Sequence, residues 1–397
     1  MTDWPRLLKR ALLFILFAGL GIELLWILRT NPDKRDPVAE AAASSTTVRP
    51  GNAPTTTIDP NAVVLGVLVN SPADTPVESG IRFGLADAKK ANVAIAEKVR
   101  IQRCVVAPGV NPEDCATNFR NANVQAIVAN PEVDPTAVLD SLTADLIPYV
   151  GAYPTRPSEF IDPNSYQLAP GDRGTLLAPL RWAIDVKAPS VVLISTDATR
   201  AQRDVFVAAA AKLKMPVQSF TFEDVGTNVN PFLKPVGGKK PIVFFLAENS
   251  GCDVVLRGLE RRRAGLAGGM QATFVSNACS ESAVKAKLDG LRLMAARSFA
   301  NETLSDTRSL AEASGRATTT ALMKTLPASA WEEGSSSVRT ALGAATQANP
   351  FETLGAWNCA NRRLADALAL CGQQTQVVGL GTDTTGLSVW VDSLQGP

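Results

Sequence analysis

Six cysteines (Cys104, Cys115, Cys252, Cys279, Cys359 and Cys371) and not one histidine restrict the chemistry open to this 397-residue chain. Without imidazole the commonest general base and metal ligand are gone, and no Ser-His-Asp triad can form. A zinc site would need cysteine and carboxylate alone. No CxxC pair occurs, and an even cysteine count suits disulfides in an oxidising compartment. Other polar residues gather where apolar runs end. Ser71 and Asp74 follow VVLGVLVN, Asp197 and Arg200 follow SVVLIS, and Glu248, Asn249 and Ser250 follow PIVFFLA. Residues so placed either touch a ligand or cap the next helix, and Ser and Asp serve both roles equally well. Arg200 offers a fork for an anionic group, or is simply solvated. Tyr153 and Thr155 stand in a proline-rich stretch, AYPTRP. There is no GxSxG elbow, GLGTDTTG has the wrong spacing for a dinucleotide loop, and GGKK lacks the rest of a P-loop. No catalytic residue, metal site or cofactor is therefore assigned, and the chain reads as a non-enzyme. Its 39 basic and 38 acidic residues nearly cancel, which argues against a nucleic-acid partner.

The elements that must position these residues alternate. Residues 63–92 open with a β-branched run expected for a parallel strand buried on both faces. A polar turn follows, then a helix with Val77, Ile81, Leu85 and Ala88 on one face. Strands are expected at 99–106, 124–129 and 147–151, with helices near 112 and over 135–146 between them. A polar passage covers 153–174. The alternation resumes with a helix at 176–186, a strand at 190–195, a helix at 201–214 and strands at 217–222 and 242–247. A helix at 253–264 and a strand at 272–276 complete this half. The tail from 305 reads as mostly helical, including 356–370, and ends in a short apolar piece at 375–380. Alternation of this kind implies parallel sheets, and ligands of such sheets sit outside the carboxyl ends of the strands.

Cysteine placement agrees with this layout. Cys104 ends one strand and Cys115 opens the next helix. Cys252 and Cys279 follow two successive strands, whose ends lie side by side if the strands are neighbours. Cys359 and Cys371 stay open: a single helix through both would separate them by ~18 Å, beyond the ~7 Å limit for a bridge, so either that helix breaks or the pair is not bridged.

At the N-terminus, residues 11–28 (ALLFILFAGLGIELLWIL) are apolar apart from Glu23 and follow Arg6, Lys9 and Arg10. The length suits a spanning helix at its lower limit. No small-residue cleavage motif follows directly, so the expectation is an uncleaved single-pass anchor, with a cleaved signal peptide as the competing reading. Residues 29–61 are rich in Pro, Ala, Ser and Thr and read as a flexible tether. The globular part is then placed outside the cell membrane.

The order of VVLGVLVN with GIRFGLADAKKAN, VQAIVANP with IPYVGAYPTRP, YQLAPGD, SVVLISTD and TLGAWNCANRRLADALAL resembles type I periplasmic (extracytoplasmic) solute-binding proteins, especially the leucine/isoleucine/valine-binding branch. The resemblance implies an α/β fold of two doubly wound lobes joined by three hinge crossings, closing over a ligand. Residues 62–160 with 300–372 would form the first lobe, and 161–299 with 373–397 the second. It implies an amino-acid-like or amide solute, and delivery to an ABC permease or report to a membrane sensor. It also implies site positions. Glu132 stands where the family has a carboxylate-gripping serine. Thr155 matches a ligand-contacting threonine, with Tyr153 beside it. Asp197 is followed by Ala198-Thr199-Arg200 instead of a tyrosine–glycine pair, and Glu281 is the carboxylate nearest the family's ammonium-binding position. These departures keep a rival open: a binding fold retained as an interaction or scaffold module without a small ligand.

Overall fold

The computed structural model describes residues 62–73, 75–106, 109–222, 236–269, 271–286, 291–297, 309–347, 354, 356–361, 370–372, 374–380 and 387–390. The apolar segment 11–28 and the tether 29–61 lie outside them, and among the described residues no helix is long and apolar enough to cross a membrane.

The opening run forms β1 (Val63–Val69), whose seven residues are all buried. Period-2 alternation explains why both faces had to be apolar. Val63, Leu65, Val67 and Val69 enter one core cluster, while Val64 and Leu68 enter the one on the opposite face. Helix α1 (Pro76–Lys90) follows, capped by Thr75 and Glu78 and carrying Pro at its start. Then come β2 (Val99–Val105), α2 (Pro112–Asn121), β3 (Ala126–Val128), α3 (Thr136–Leu142) and β4 (Tyr149–Gly151). Next are α4 (Pro157–Ile161) and β5 (Ser165–Gln167). The five strands form one parallel sheet in the order β2-β1-β3-β4-β5.

The second sheet begins after α5 (Gly171–Asp185). It takes β6 (Val191–Ser195), α6 (Arg200–Lys212), β7 (Val217–Thr221), β8 (Ile242–Leu246), α7 (Cys252–Gly269), β9 (Ala272–Val275), α8 (Ser280–Lys285) and β10 (Leu293–Arg297). After α9 (Leu310–Thr325), α10 (Ala328–Glu332), α11 (Ser335–Ala344) and the short pair β11 (Thr346–Gln347) and β12 (Trp357–Asn358), the chain returns with β13 (Gln374–Gly379) and β14 (Leu387–Trp390). The order is β14-β13-β10-β9-β8-β6-β7, with β13 and β14 antiparallel. Aromatic packing fills both faces: Trp182 lies edge-on to Phe274 and Phe206 tilts against Phe244 on one, and Phe222 tilts against Phe245 on the other.

Helix α9 belongs to the first sheet's layer, because α1 accepts it at backbone contact. A Cβ on Gly80 would overlap the Glu312 carbonyl, and one on Gly315 the Val77 carbonyl, so only glycine permits the approach. The chain thus passes between the sheets three times: after β5, between β10 and α9, and between Cys371 and β13. The first and third crossings lie against each other, with Gly372 pressed on the Leu168 carbonyl.

Three expectations are corrected. The passage 153–174 contains α4 and β5 and the start of α5, because Ser165–Gln167 pairs with β4 despite its polar composition. The strand adds residues 165–167 to the first sheet. The stretch 356–370 does not begin as a helix. Asn358 N–H donates to the Cys371 carbonyl at 2.8 Å and Cys359 N–H to the Ala345 carbonyl at 3.0 Å, which hold the chain as a strand and a tight turn. Strands β10 and β14 add sheet where the sequence showed none.

Candidate functional site

The loops at the carboxyl ends of both sheets are fastened before any ligand is considered. In the first sheet, buried Asn130 donates from Nδ2 to the Leu68 carbonyl at 3.0 Å and accepts Glu132 N–H at 3.1 Å. It ties the end of β1 to the end of β3 and sets the loop that carries Glu132. Buried Glu78 accepts Thr75 N–H at 3.0 Å and Arg103 Nε at 2.9 Å, and Arg103 also reaches the Pro72 carbonyl. The turn holding Ser71 is thereby pinned to β2, and the hydroxyl of Ser71 accepts Ala73 N–H at 3.2 Å. Asp74 lies outside the described residues.

The loop after β4 is organised by Glu159, whose Oε2 accepts the N–H groups of Thr155 and Arg156 at 2.7 and 2.8 Å. Its other oxygen takes the Tyr149 hydroxyl at 3.2 Å. Burial raises the Glu159 carboxyl above its ordinary range even though those donors pull it down, and burial likewise raises the Tyr149 phenol. Thr155 donates from Oγ1 to the Pro131 carbonyl at 3.3 Å, so it clasps its own loop to the one bearing exposed Glu132. Tyr153 is buried and donates to Asp172 at 2.6 Å, from the first sheet's loop to the first turn of α5. Asp172 keeps contact with solvent, yet desolvation by the surrounding protein raises its carboxyl.

In the second sheet the same device recurs. Thr199 donates to the Leu246 carbonyl at 3.1 Å, and Ser276 to the Ala247 carbonyl at 2.6 Å, joining the ends of β6, β8 and β9. Asp197 and Arg200 pair with each other at 3.2 Å, both well exposed, rather than standing free for a solute. Ser250 donates to Glu248 at 2.7 Å. The side chains of Asn249 and Glu281 lie outside the description, but the disulfide Cys252–Cys279 brings their loops together. Cys104–Cys115 closes in the first sheet, with a Cα separation of 5.5 Å. Cys359–Cys371 resolves the open pair: with 357–361 held as a strand and a tight turn, the Cα atoms come within 4.3 Å. No cysteine among the described residues is free, and no cluster that could hold a metal ion occurs among them.

The structure thus joins the loop of Glu132 to that of Thr155 and Tyr153, and Tyr153 to Asp172. Ser71 and the Asp197–Arg200 pair are held within their own turns. Sequence reasoning missed Asn130, Glu159, Asp172, Thr199 and Ser276. Glu78 was signalled by its place three residues after Thr75, and Glu159 by its place just inside a Pro-started helix. Asn130 had no local signal, since its partner lies 62 positions away.

Solved structures match this fold over nearly their whole length. This is the type I periplasmic binding protein fold. A leucine-binding protein, LivK, from Thermotoga maritima matches with a TM-score of 0.53 at 11% identity, over 84% of this chain and 99% of that one. An ABC transporter substrate-binding protein from Sphaerobacter thermophilus matches at 0.53 and 15% identity, over 83% and 97%. The branched-chain amino-acid transporter substrate-binding protein LivJ from Streptococcus pneumoniae, in complex with isoleucine, matches at 0.51 and 10% identity, over 83% and 99%. No protein-family model and no curated protein sequence matches the chain. At these identities the likeness is one of fold. Within that fold, the Tyr153–Asp172 bond links the loop after β4 to the start of α5.

Proposed function

We propose that this chain is a membrane-tethered, extracytoplasmic solute-binding protein. It captures a small polar ligand, amino-acid-like or an amide, between its two lobes for an ABC importer or a sensor partner. The observation that carries this reading is the two sheets whose parallel strands are fastened side chain by side chain at their carboxyl ends. Such platforms preorganise polar groups for a small molecule. The match with a leucine-binding protein and with an isoleucine complex, each over nearly its full length, supports the solute class. Three closed disulfides support an oxidising compartment. Closure of the cleft would proceed as a hinge at the three crossings. A scaffold module without a ligand is the rival, and one observation favours it: the hydroxyl of Thr155 and the side chains of Asp197 and Arg200 are occupied within the protein.

A thermal-shift screen on the full chain in detergent, with amino-acid, amide and sugar libraries, separates the two. A true solute at 100 times its Kd stabilises by about 2.7 kcal/mol. No shift from any library, with a protein partner co-purifying, would overturn the solute reading in favour of the scaffold.

A further inference from the structure

Arg173 stands in the first turn of α5, at the joint between the lobes. Its predecessor Asp172 takes the Tyr153 hydroxyl at 2.6 Å and donates its N–H to the Pro154 carbonyl at 3.2 Å. Its successor Gly174 packs against Pro170 of the first crossing and Thr375 at the start of β13. The turn is therefore wedged beside the loop that carries Thr155, where a solute between the lobes would arrive.

A guanidinium carries five donors and no acceptor. Arg173 makes no hydrogen bond and no ion pair among the described residues, and its Nε is removed from solvent without a partner. Its half-buried position depresses its pKa through desolvation, and no carboxylate among the described residues contributes. Asp172 is adjacent in sequence but is engaged by Tyr153 and feels the charge of Arg156 instead. A second orphan lies against the same turn: Thr375 is 1% exposed, its Oγ1 has no partner among the described residues, and it abuts Gly174. Buried polar groups are normally paired, and an unpaired one calls for an explanation. A charged one with no partner among the described residues can take a counter-ion from outside the chain.

We propose that Arg173 is the anion anchor of the solute site, receiving a small carboxylate from the cleft at the hinge. This inference rests on the solute-binding reading. A carboxylate fits better than a phosphate. One guanidinium matches one carboxylate through two parallel hydrogen bonds, whereas the adjacent Asp172 would repel a second negative charge. Lobe 1 thus positions the ligand through its loops, while the hinge itself supplies the charge.

The test uses the full chain and matched probes: isovalerate against isovaleramide, L-leucine against L-leucinamide, and neutral sugars, each titrated by calorimetry and thermal shift. The expected result is binding of at least one carboxylate, at least about tenfold tighter than its amide. Arg173→Met should weaken that carboxylate by about 10- to 100-fold, as loss of charged hydrogen bonds does. The unliganded Tm of this variant should stay level or rise, since it removes an unpaired charge. Arg173→Lys, which keeps the charge and loses the fork, should fall between. Neutral solutes binding as well as carboxylates, or Arg173→Met binding carboxylates like the parent chain, would overturn the anchor and leave the solute reading standing. A lowered Tm with unchanged affinity would also overturn it, as the mark of a purely structural arginine. No binding by any probe would overturn both.

Discussion

Glu159 gives the sharpest test of how the candidate site is built. Its carboxylate satisfies two backbone N–H groups and a phenol from a position 1% exposed. Glu159→Ala would strand the Tyr149 hydroxyl and the N–H of Thr155 and leave a void, each orphan costing about 1–3 kcal/mol. The expected loss is about 3–5 kcal/mol, with the loop carrying Tyr153 and Thr155 released. Glu159→Gln should cost only about 1 kcal/mol. Both N–H groups sit on one oxygen, so the amide oxygen can accept them while its nitrogen faces Tyr149. The pH dependence separates the two effects further. Burial raises the Glu159 carboxyl in the folded chain above its ordinary value of 4.5. The folded state therefore holds this proton more tightly than the unfolded one. Stability from this group is complete below that ordinary value and declines as pH rises through the raised folded value. Urea denaturation followed by tryptophan fluorescence, repeated across that window, should show the parent chain losing stability relative to Glu159→Gln as pH rises. If Glu159→Gln were as unstable as Glu159→Ala, or followed the parent's pH slope unchanged, the account of this loop would be wrong.

Other consequences are equally direct. Gly315→Ala should destabilise the first lobe by about 1–3 kcal/mol, because its Cβ meets the Val77 carbonyl and neither helix backbone can yield cheaply; the denaturation midpoint reads this. Asn130→Ala removes the link between the Leu68 carbonyl and Glu132 N–H and should cost about 1–3 kcal/mol, with faster amide exchange at Glu132. Cys252→Ser with Cys279→Ser opens a loop spanning 27 positions and should cost about 3–4 kcal/mol. In the parent chain all six cysteines should resist alkylation until reduced, as mass spectrometry would record.

Much of the fold was legible in the chain itself. A strand such as Val63–Val69 must bury both faces, so its composition alone declares a parallel sheet covered on two sides. The helix beginning at Pro76 announced itself by Thr75, Pro76 and Glu78. These are local signals, and local chemistry produces them. Ser165–Gln167 and 356–361 carried no such signal. Their conformation is set by partners far along the chain: β4 for the first, and Ala345 and Cys371 for the second. The candidate site divides along the same line. Composition excluded imidazole chemistry and placed polar residues after the apolar runs. It could not say that Thr155 would be turned to Pro131 or Asp197 to Arg200, because those bonds depend on how loops meet in space. Nor could it show that Arg173, one unremarkable charge in APGDRG, would be half-buried with its Nε unpartnered among the described residues. Residue types and their periodicity determined the layers, while only the packed structure decided which polar groups were satisfied.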